Sequence, residues 1–227
     1  MKVLICAAEE EELIVARQGY EQLTVNERER LDISWLLTGI GTTSTSYRLT
    51  KAIAQSPHPL NLAINVGIAG SFSPQLPLGS VSRVAVEYFG DLGFETFQGF
   101  QTLFDYKILD ANTHPFRDGK LIAPKLSNEI EKRMAPYGNS VGVTVQTVSG
   151  IPERKELLIE EFNPQIESME GAAFFYVSTL EEIPFIELRS VSNEVGERDR
   201  SKWNIPLALE NLREAIRTLL EGLANET

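Results

Sequence analysis

A single cysteine, Cys6, and two histidines, His58 and His114, are all this chain has of the residues that build disulfides and zinc sites. One thiol cannot close an internal disulfide, and Cys6 lies in an apolar run, so it reads as a small core residue. With so few nitrogen and sulfur ligands no metal site is expected, and no motif calls for a cofactor. Positive charge is also scarce. Lys and Arg number 21 against 32 Asp and Glu, for a formal charge of −11 and an isoelectric point near 4.8. Such a surface repels phosphate backbones and anionic lipid, so neither nucleic acid nor a membrane is an expected partner. No apolar stretch approaches the roughly 20 residues a bilayer requires. The apolar residues 3–8 are too few for a secretory core and four glutamates follow them at once, so the reducing cytoplasm is the expected location.

What is present suits a single α/β domain over residues 1–227. The chain is 42% hydrophobic, with no linker, repeat or low-complexity tract. Short β-prone apolar runs at 2–8, 33–37, 60–66, 80–87, 140–148, 165–168 and 184–191 read as strands. Helical spacing appears at 9–18, 42–54, 125–135, 153–162, 170–180 and, strongly amphipathic, 205–224. Residues 89–116, rich in aromatics and glycine, read as a loop with strands at its edges. Alternation of this kind predicts a sheet flanked by helices on both faces. In such folds ligands bind beyond the carboxyl ends of strands, and every unusual segment falls at such an end.

Six of these segments could carry chemistry. Glu9-Glu10-Glu11-Glu12 begins a helix, where acids suit the dipole, yet a carboxylate facing a cleft could also activate water. Gly39-Ile40-Gly41 and Gly67-Ile68-Ala69-Gly70 read as glycine turns after strands, either plain connections or places where backbone nears a ligand. In Glu167-Ser168-Met169-Glu170 a carboxylate stands at the mouth of an apolar helix. It could cap that helix, or accept both hydroxyls of a ribose. Arg189-Ser190-Val191-Ser192-Asn193 closes a strand that is apolar except for Glu187. Asn193 there is either a turn former or a donor to a ligand. The charged stretch 194–203, ending in Trp203, is either a solvated loop or a cover over a pocket.

Taken in order, Ala-Ala-Glu-Glu-Glu-Glu12, Gly39-Ile-Gly41, Asn65-Val-Gly67-Ile-Ala-Gly70, Ser168-Met-Glu170 and Arg189-Ser-Val-Ser-Asn193 resemble the purine nucleoside phosphorylase/hydrolase family over nearly the whole chain. Within that family they look most like the methylthioadenosine/adenosylhomocysteine nucleosidases and the futalosine hydrolases. The resemblance implies a nucleoside phosphorylase-like α/β fold with a central mixed, twisted sheet. It implies a small nucleoside as substrate and a homo-oligomer, dimer or larger. It makes Glu12 the residue that polarises the attacking water, Met169 a neighbour of the sugar and Glu170 the holder of the ribose hydroxyls. Arg189 falls beside the water site, and Gly67 and Gly70 fall at the substrate.

Two positions depart from the adenine-releasing nucleosidases. Ile68 stands where they carry a serine near the water. Asn193 stands where they carry an aspartate that protonates the purine. An amide cannot deliver a proton, but its NH2 group donates hydrogen bonds, and a 6-oxopurine offers acceptors at O6 and N7. This favours hypoxanthine without excluding adenine, and together with the Glu12 region the resemblance to the futalosine hydrolases implies hydrolysis of the N-glycosidic bond of futalosine with release of hypoxanthine. The benzoate on the 5′ side of that substrate would meet a cation, with Arg198, Arg200 and Lys202 as candidates. An adenine-releasing nucleosidase, a 6-oxopurine phosphorylase and a catalytically dead nucleoside-binding protein remain as alternatives.

Overall fold

The computed structural model describes residues 1–97 and 99–226. The first apolar run forms β1 (Lys2–Ala7), and its alternate residues serve two cores. Val3, Ile5 and Ala7 face one cluster and Leu4 and Cys6 the other. A strand covered on both faces needs no polar alternation, which is why this run has none. There follow α1 (Glu10–Glu21), α2 (Val25–Glu29), β2 (Asp32–Leu37), α3 (Thr42–Gln55), β3 (Leu62–Ser71), β4 (Val81–Phe89), β5 (Gly93–Thr96), β6 (Gly99–Thr102) and β7 (Leu121–Ile122). The remainder is α4 (Asn128–Met134), β8 (Asn139–Thr144), α5 (Pro152–Phe162), β9 (Ile166–Ser168), α6 (Gly171–Leu180), β10 (Phe185–Glu194) and α7 (Ile205–Glu226).

β1 lies between β2 and β3, parallel to both. β3 is also parallel to β10 along its length and antiparallel to β9 at its end. β9 runs parallel to β8, β8 parallel to β4, and β4 antiparallel to β10. The path β3–β10–β4–β8–β9 thus returns to β3, and the mixed sheet curls into a closed barrel that removes its own edges. β1 and β2 extend from it as a parallel flap. The amphipathic α7 packs with α1 and α4 over one side, burying Leu212, Ile216, Leu219 and Leu223 against Leu13 and Ile130. On the other side α6, apolar all round, is enclosed between α3 and the sheet. Its Phe174 and Phe175 meet the Phe185 ring edge-on at 5.5 and 4.7 Å. The expected mixed α/β sheet flanked by helices is what forms.

Three readings of local structure change. Residues 67–70 do not turn: β3 continues through both glycines to Ser71, because β10 hydrogen-bonds alongside to Glu194. Asn193 is likewise a strand residue, carried past a bulge at Ser192 into register with Gly70. The strand from Asn139 stops at Thr144, and residues 145–151 form a loop. Within 89–116 the aromatic segment forms the two-stranded β5–β6 ribbon, and α2, unforeseen, is held by a Thr24–Glu27 capping box.

Candidate active site

The end of β1 runs directly into α1, and the first helical turn must satisfy its free amides. Glu12 does so. Its side chain folds back so that Oε2 accepts from the backbone N–H groups of Ala8 and Glu9, each at 3.1 Å, while Oε1 accepts from Ile68 on β3 at 2.9 Å. Of the four glutamates, this is the one turned inward: it is buried, and Glu9 to Glu11 are exposed. Burial raises its pKa, against the pull of Arg189 and of the Ile68 and Glu9 amides, while nearby Glu170 adds to the rise.

Arg189 lies beneath the pocket rather than in it. It is 1% exposed, and its Nε donates to Glu187 at 2.8 Å. Its Nη1 stands 3.7 Å from Glu170 Oε2. Gly67 explains how this group fits, since a Cβ there would lie 2.2 Å from Arg189 Nη1 and 2.9 Å from Glu12 Oε1. Any side chain at 67 would expel the guanidinium. Gly67 and Arg189 thus support the site from behind, and neither is among the residues that line its cavity. Burial opposes the charge on Arg189, but Glu187, Glu170 and Glu12 outweigh it and raise its pKa. Behind Glu187 lies a further acid, Glu87, fully buried and receiving the Thr144 hydroxyl at 2.9 Å. Burial, and then Glu187, push the Glu87 carboxyl well above the usual range. One guanidinium facing four buried carboxyls cannot neutralise them all.

Glu170 lies two residues beyond β9, as the residue before α6. Its Oε1 accepts from Gly41 N–H at 3.0 Å, so the Gly39–Gly41 turn supplies an amide to a carboxylate 129 residues away. Burial raises its pKa, with Arg189 and the Gly41 amide opposing. Across the opening, Asn193 has its amide fixed in one sense. Its Oδ1 accepts from the Ser192 hydroxyl at 2.8 Å, and Nδ2 spends one hydrogen on Glu194 O at 2.9 Å. The second Nδ2 hydrogen remains to donate. Gly70 keeps the floor beside it low: a Cβ there would sit 2.9 Å from Val195 and 3.3 Å from Asn193 Nδ2.

Glu12, Gly70, Met169, Glu170 and Asn193 line one cavity of about 290 Å³ at the barrel mouth. A larger hollow of about 610 Å³ lies near Asn112 and Ser178, but carboxylates do not converge there as they do at the barrel mouth. Of the three candidate cations only Arg198 reaches the cavity, and its guanidinium stands 5.4 Å from the Trp203 ring centre. Lys202 pairs instead with Glu197 at 2.6 Å, and Arg200 lies against Trp203. Trp203 itself lines the cavity, so residues 194–203 wall the site.

Sequence reasoning passed over Ser192, which orients the Asn193 amide, and the Ser149–Glu167 pair. Glu167 is buried and accepts from Ser149 N–H at 3.1 and 3.2 Å as well as from its hydroxyl, and both residues line the cavity. Glu167 stands in the same string as Glu170, but in a three-residue strand no periodicity separates an inward side chain from a solvated one.

The chain matches the model of the phosphorylase superfamily over residues 4–221. It is 34% identical over 159 residues to the futalosine hydrolase of Streptomyces coelicolor, a match covering 70% of this chain and 64% of that one, just under two thirds. It is 30% identical over 186 residues to the futalosine hydrolase of Thermus thermophilus, covering 82% and 80%. Among solved structures it resembles a methylthioadenosine/adenosylhomocysteine nucleosidase from Streptococcus pneumoniae, with a TM-score of 0.77, 16% identity and full coverage of both chains. The futalosine hydrolase of Helicobacter pylori gives a TM-score of 0.76 at 18% identity, again over both whole chains. Fold, motif order and a match running almost end to end agree: the chain belongs to the phosphorylase superfamily.

Proposed function

We propose that the chain hydrolyses the N-glycosidic bond of futalosine and releases hypoxanthine, acting as a single domain in a cytoplasmic dimer or larger homo-oligomer. The observation that carries this reading is the convergence of Glu12, Glu170 and Asn193 on one cavity. The curated relatives in Streptomyces coelicolor and Thermus thermophilus bear the same activity in their names.

The glycosidic bond stretches first and leaves an oxocarbenium-like sugar, as in O-glycoside hydrolysis. Asn193 stabilises charge gathering on the departing base through its free Nδ2 hydrogen. A single placed donor of this sort is worth roughly 10²–10³ in rate. Glu170 accepts the ribose hydroxyls and its charge favours the cationic ring. Glu12 orients water and takes its proton, and its raised pKa brings it nearer the working pH of a general base. Arg198 is the cation available to the benzoate.

Phosphorolysis is disfavoured by the cavity wall. Among the described residues, Glu9, Glu12, Glu167 and Glu170 line it against the one cation Arg198, and Arg189 is already committed to Glu187. Incubation with futalosine in phosphate-free buffer tests the proposal. Free hypoxanthine and the dehypoxanthine sugar product are expected. Release that waits on added phosphate, or adenine release from the 6-amino counterpart alone, would overturn it.

A further inference from the structure

The mechanism leaves one acid of the interior cluster without a role. Glu87 on β4 is fully buried behind Glu187 and does not line the cavity. Two glycines make its room. A Cβ on Gly142 would lie 2.2 Å from Glu87 Oε1, and one on Gly171 would lie 2.3 Å from the same atom. The second of these points is also 2.8 Å from Glu187 Oε1, so two carboxyl oxygens crowd one spot beside the Gly171 backbone. The hydrogens around them can be assigned. The Thr144 hydroxyl accepts from Ala172 N–H at 2.7 Å, so its own hydrogen is free for Glu87 Oε2 at 2.9 Å. Glu187 receives Arg189 Nε on Oε1 at 2.8 Å and Asn65 Nδ2 on Oε2 at 3.1 Å. No donor among the described residues reaches Glu87 Oε1. Two ionised carboxylates so placed would repel each other in a buried site. One hydrogen on Glu87 Oε1 removes that repulsion and supplies a bond between them.

We propose that Glu87 is a positioning residue that carries a proton on Oε1, hydrogen-bonds through it to Glu187 Oε1, and so holds Glu187 and Arg189 in place beneath Glu12 and Glu170. A neutral Glu87 adds no negative charge to the cluster, and the guanidinium is left to act on the two acids of the cavity. An ionised Glu87 would compete for the same guanidinium, and both cavity acids would be harder to ionise. The groups that act on Glu87 are Glu187 and Arg189 on β10, Glu170 before α6 and the Thr144 hydroxyl on β8. The other elements against this end of β4, α6 and β7, contain no charged residue. Burial and then Glu187 push the Glu87 pKa up, Thr144 and Arg189 oppose them, and the rise prevails.

Glu87→Gln and Glu87→Met test the assignment. Glutamine keeps a donor for Glu187 without a titratable group, and methionine keeps only the bulk. Infrared spectra at neutral pH should show a protonated-carboxyl C=O band in wild type that both variants lack. Because burial raises the folded pKa above 4.5, native wild type holds a proton there that the unfolded chain has released. Its stability should therefore fall as pH rises from that value, with about one more proton taken up on folding than in either variant. Neither readout needs a substrate, so both stand apart from the futalosine reading; the kinetic readout rests on it. Methionine should lower kcat/KM for futalosine at least about 10-fold, the loss of one hydrogen bond to a charged group. It should also move the acid limb to higher pH, since Glu187 then draws harder on Arg189. Glutamine should recover most of both. A Glu87 that merely fills space predicts equal kinetics in the two variants. That result, or a band that survives in Glu87→Gln, would overturn the inference. Should neither variant fold, Thr144→Val decides. It removes the hydrogen bond to Glu87 Oε2, so the wild-type band should move to higher frequency. A band that stays in place, or no band at all, would refute the assignment.

Discussion

Two charged regions of this molecule use the same residue types to opposite ends. On the outer face of α7, Arg213 pairs with Glu210 and Glu214, and Arg217 pairs with Glu214 and Glu221 at helical spacing. Beneath the cavity, Arg189 pairs with Glu187 and Glu170 with almost no exposure. On the helix, water shares the load. Slight desolvation of Glu214 is outweighed by Arg217 and Arg213, and its pKa is lowered. In the interior, burial dominates and the carboxyls of Glu12, Glu87 and Glu170 all rise. Pairing thus favours the ionised form of Glu214 at the surface, while the interior leaves one guanidinium with more acid than it can neutralise. A surface ladder is cheap and adjustable. A buried cluster costs stability, and its return is carboxylates held in place with pKa values shifted toward neutrality.

The largest effect should come from breaking the interior pair. Arg189→Met removes the charge between Glu187, Glu170 and Glu12, and is expected to cost about 3–5 kcal/mol in denaturant unfolding together with most of the activity. A loss no greater than that of a surface variant would erase the contrast. Next is Glu12. As a base it must be ionised, so kcat/KM should rise with pH through its pKa. Because burial lifts that value, the acid limb should lie above the ordinary carboxylate value of 4.5. Glu12→Gln should lower kcat by about 10²–10⁴ and abolish that limb while ligand binding survives. A limb at the ordinary value, or a fully active variant, would remove Glu12 from its role. The smallest effect belongs to α7. Arg217→Ala should change stability by about 0.2–1 kcal/mol, less at high salt, with kcat/KM untouched. A larger or salt-independent change would show that the ladder does more than decorate the surface.

Much of the fold was legible because burial writes itself into periodicity. The unbroken apolar run of β1, the all-apolar α6 and the amphipathic stripe of α7 each declare how many faces they bury. What misled was glycine. Gly67 and Gly70 look like turn residues, but they are strand residues without side chains because Arg189, Glu12, Val195 and Asn193 occupy the space where side chains would stand. Asn193 likewise looks like a turn former, and only the pairing of β10 with β3 makes it a strand residue that faces the cavity. Of the site, the order of motifs placed Glu12, Met169, Glu170 and Asn193. Ser149, Glu167 and Ser192 had no local signal, since their roles arise from contacts across strands.

The sequence alone determined the alternation of elements, the net acidity of the chain, and the identity of the side chains able to do chemistry, because these follow from composition and local period. The tertiary structure decided which glutamate of four turns inward, that Arg189 supports the site from below, and that Glu87 and Glu187 meet beside a glycine. Those outcomes depend on register between strands far apart in the chain, and on the burial that register creates, and neither is written in any one segment.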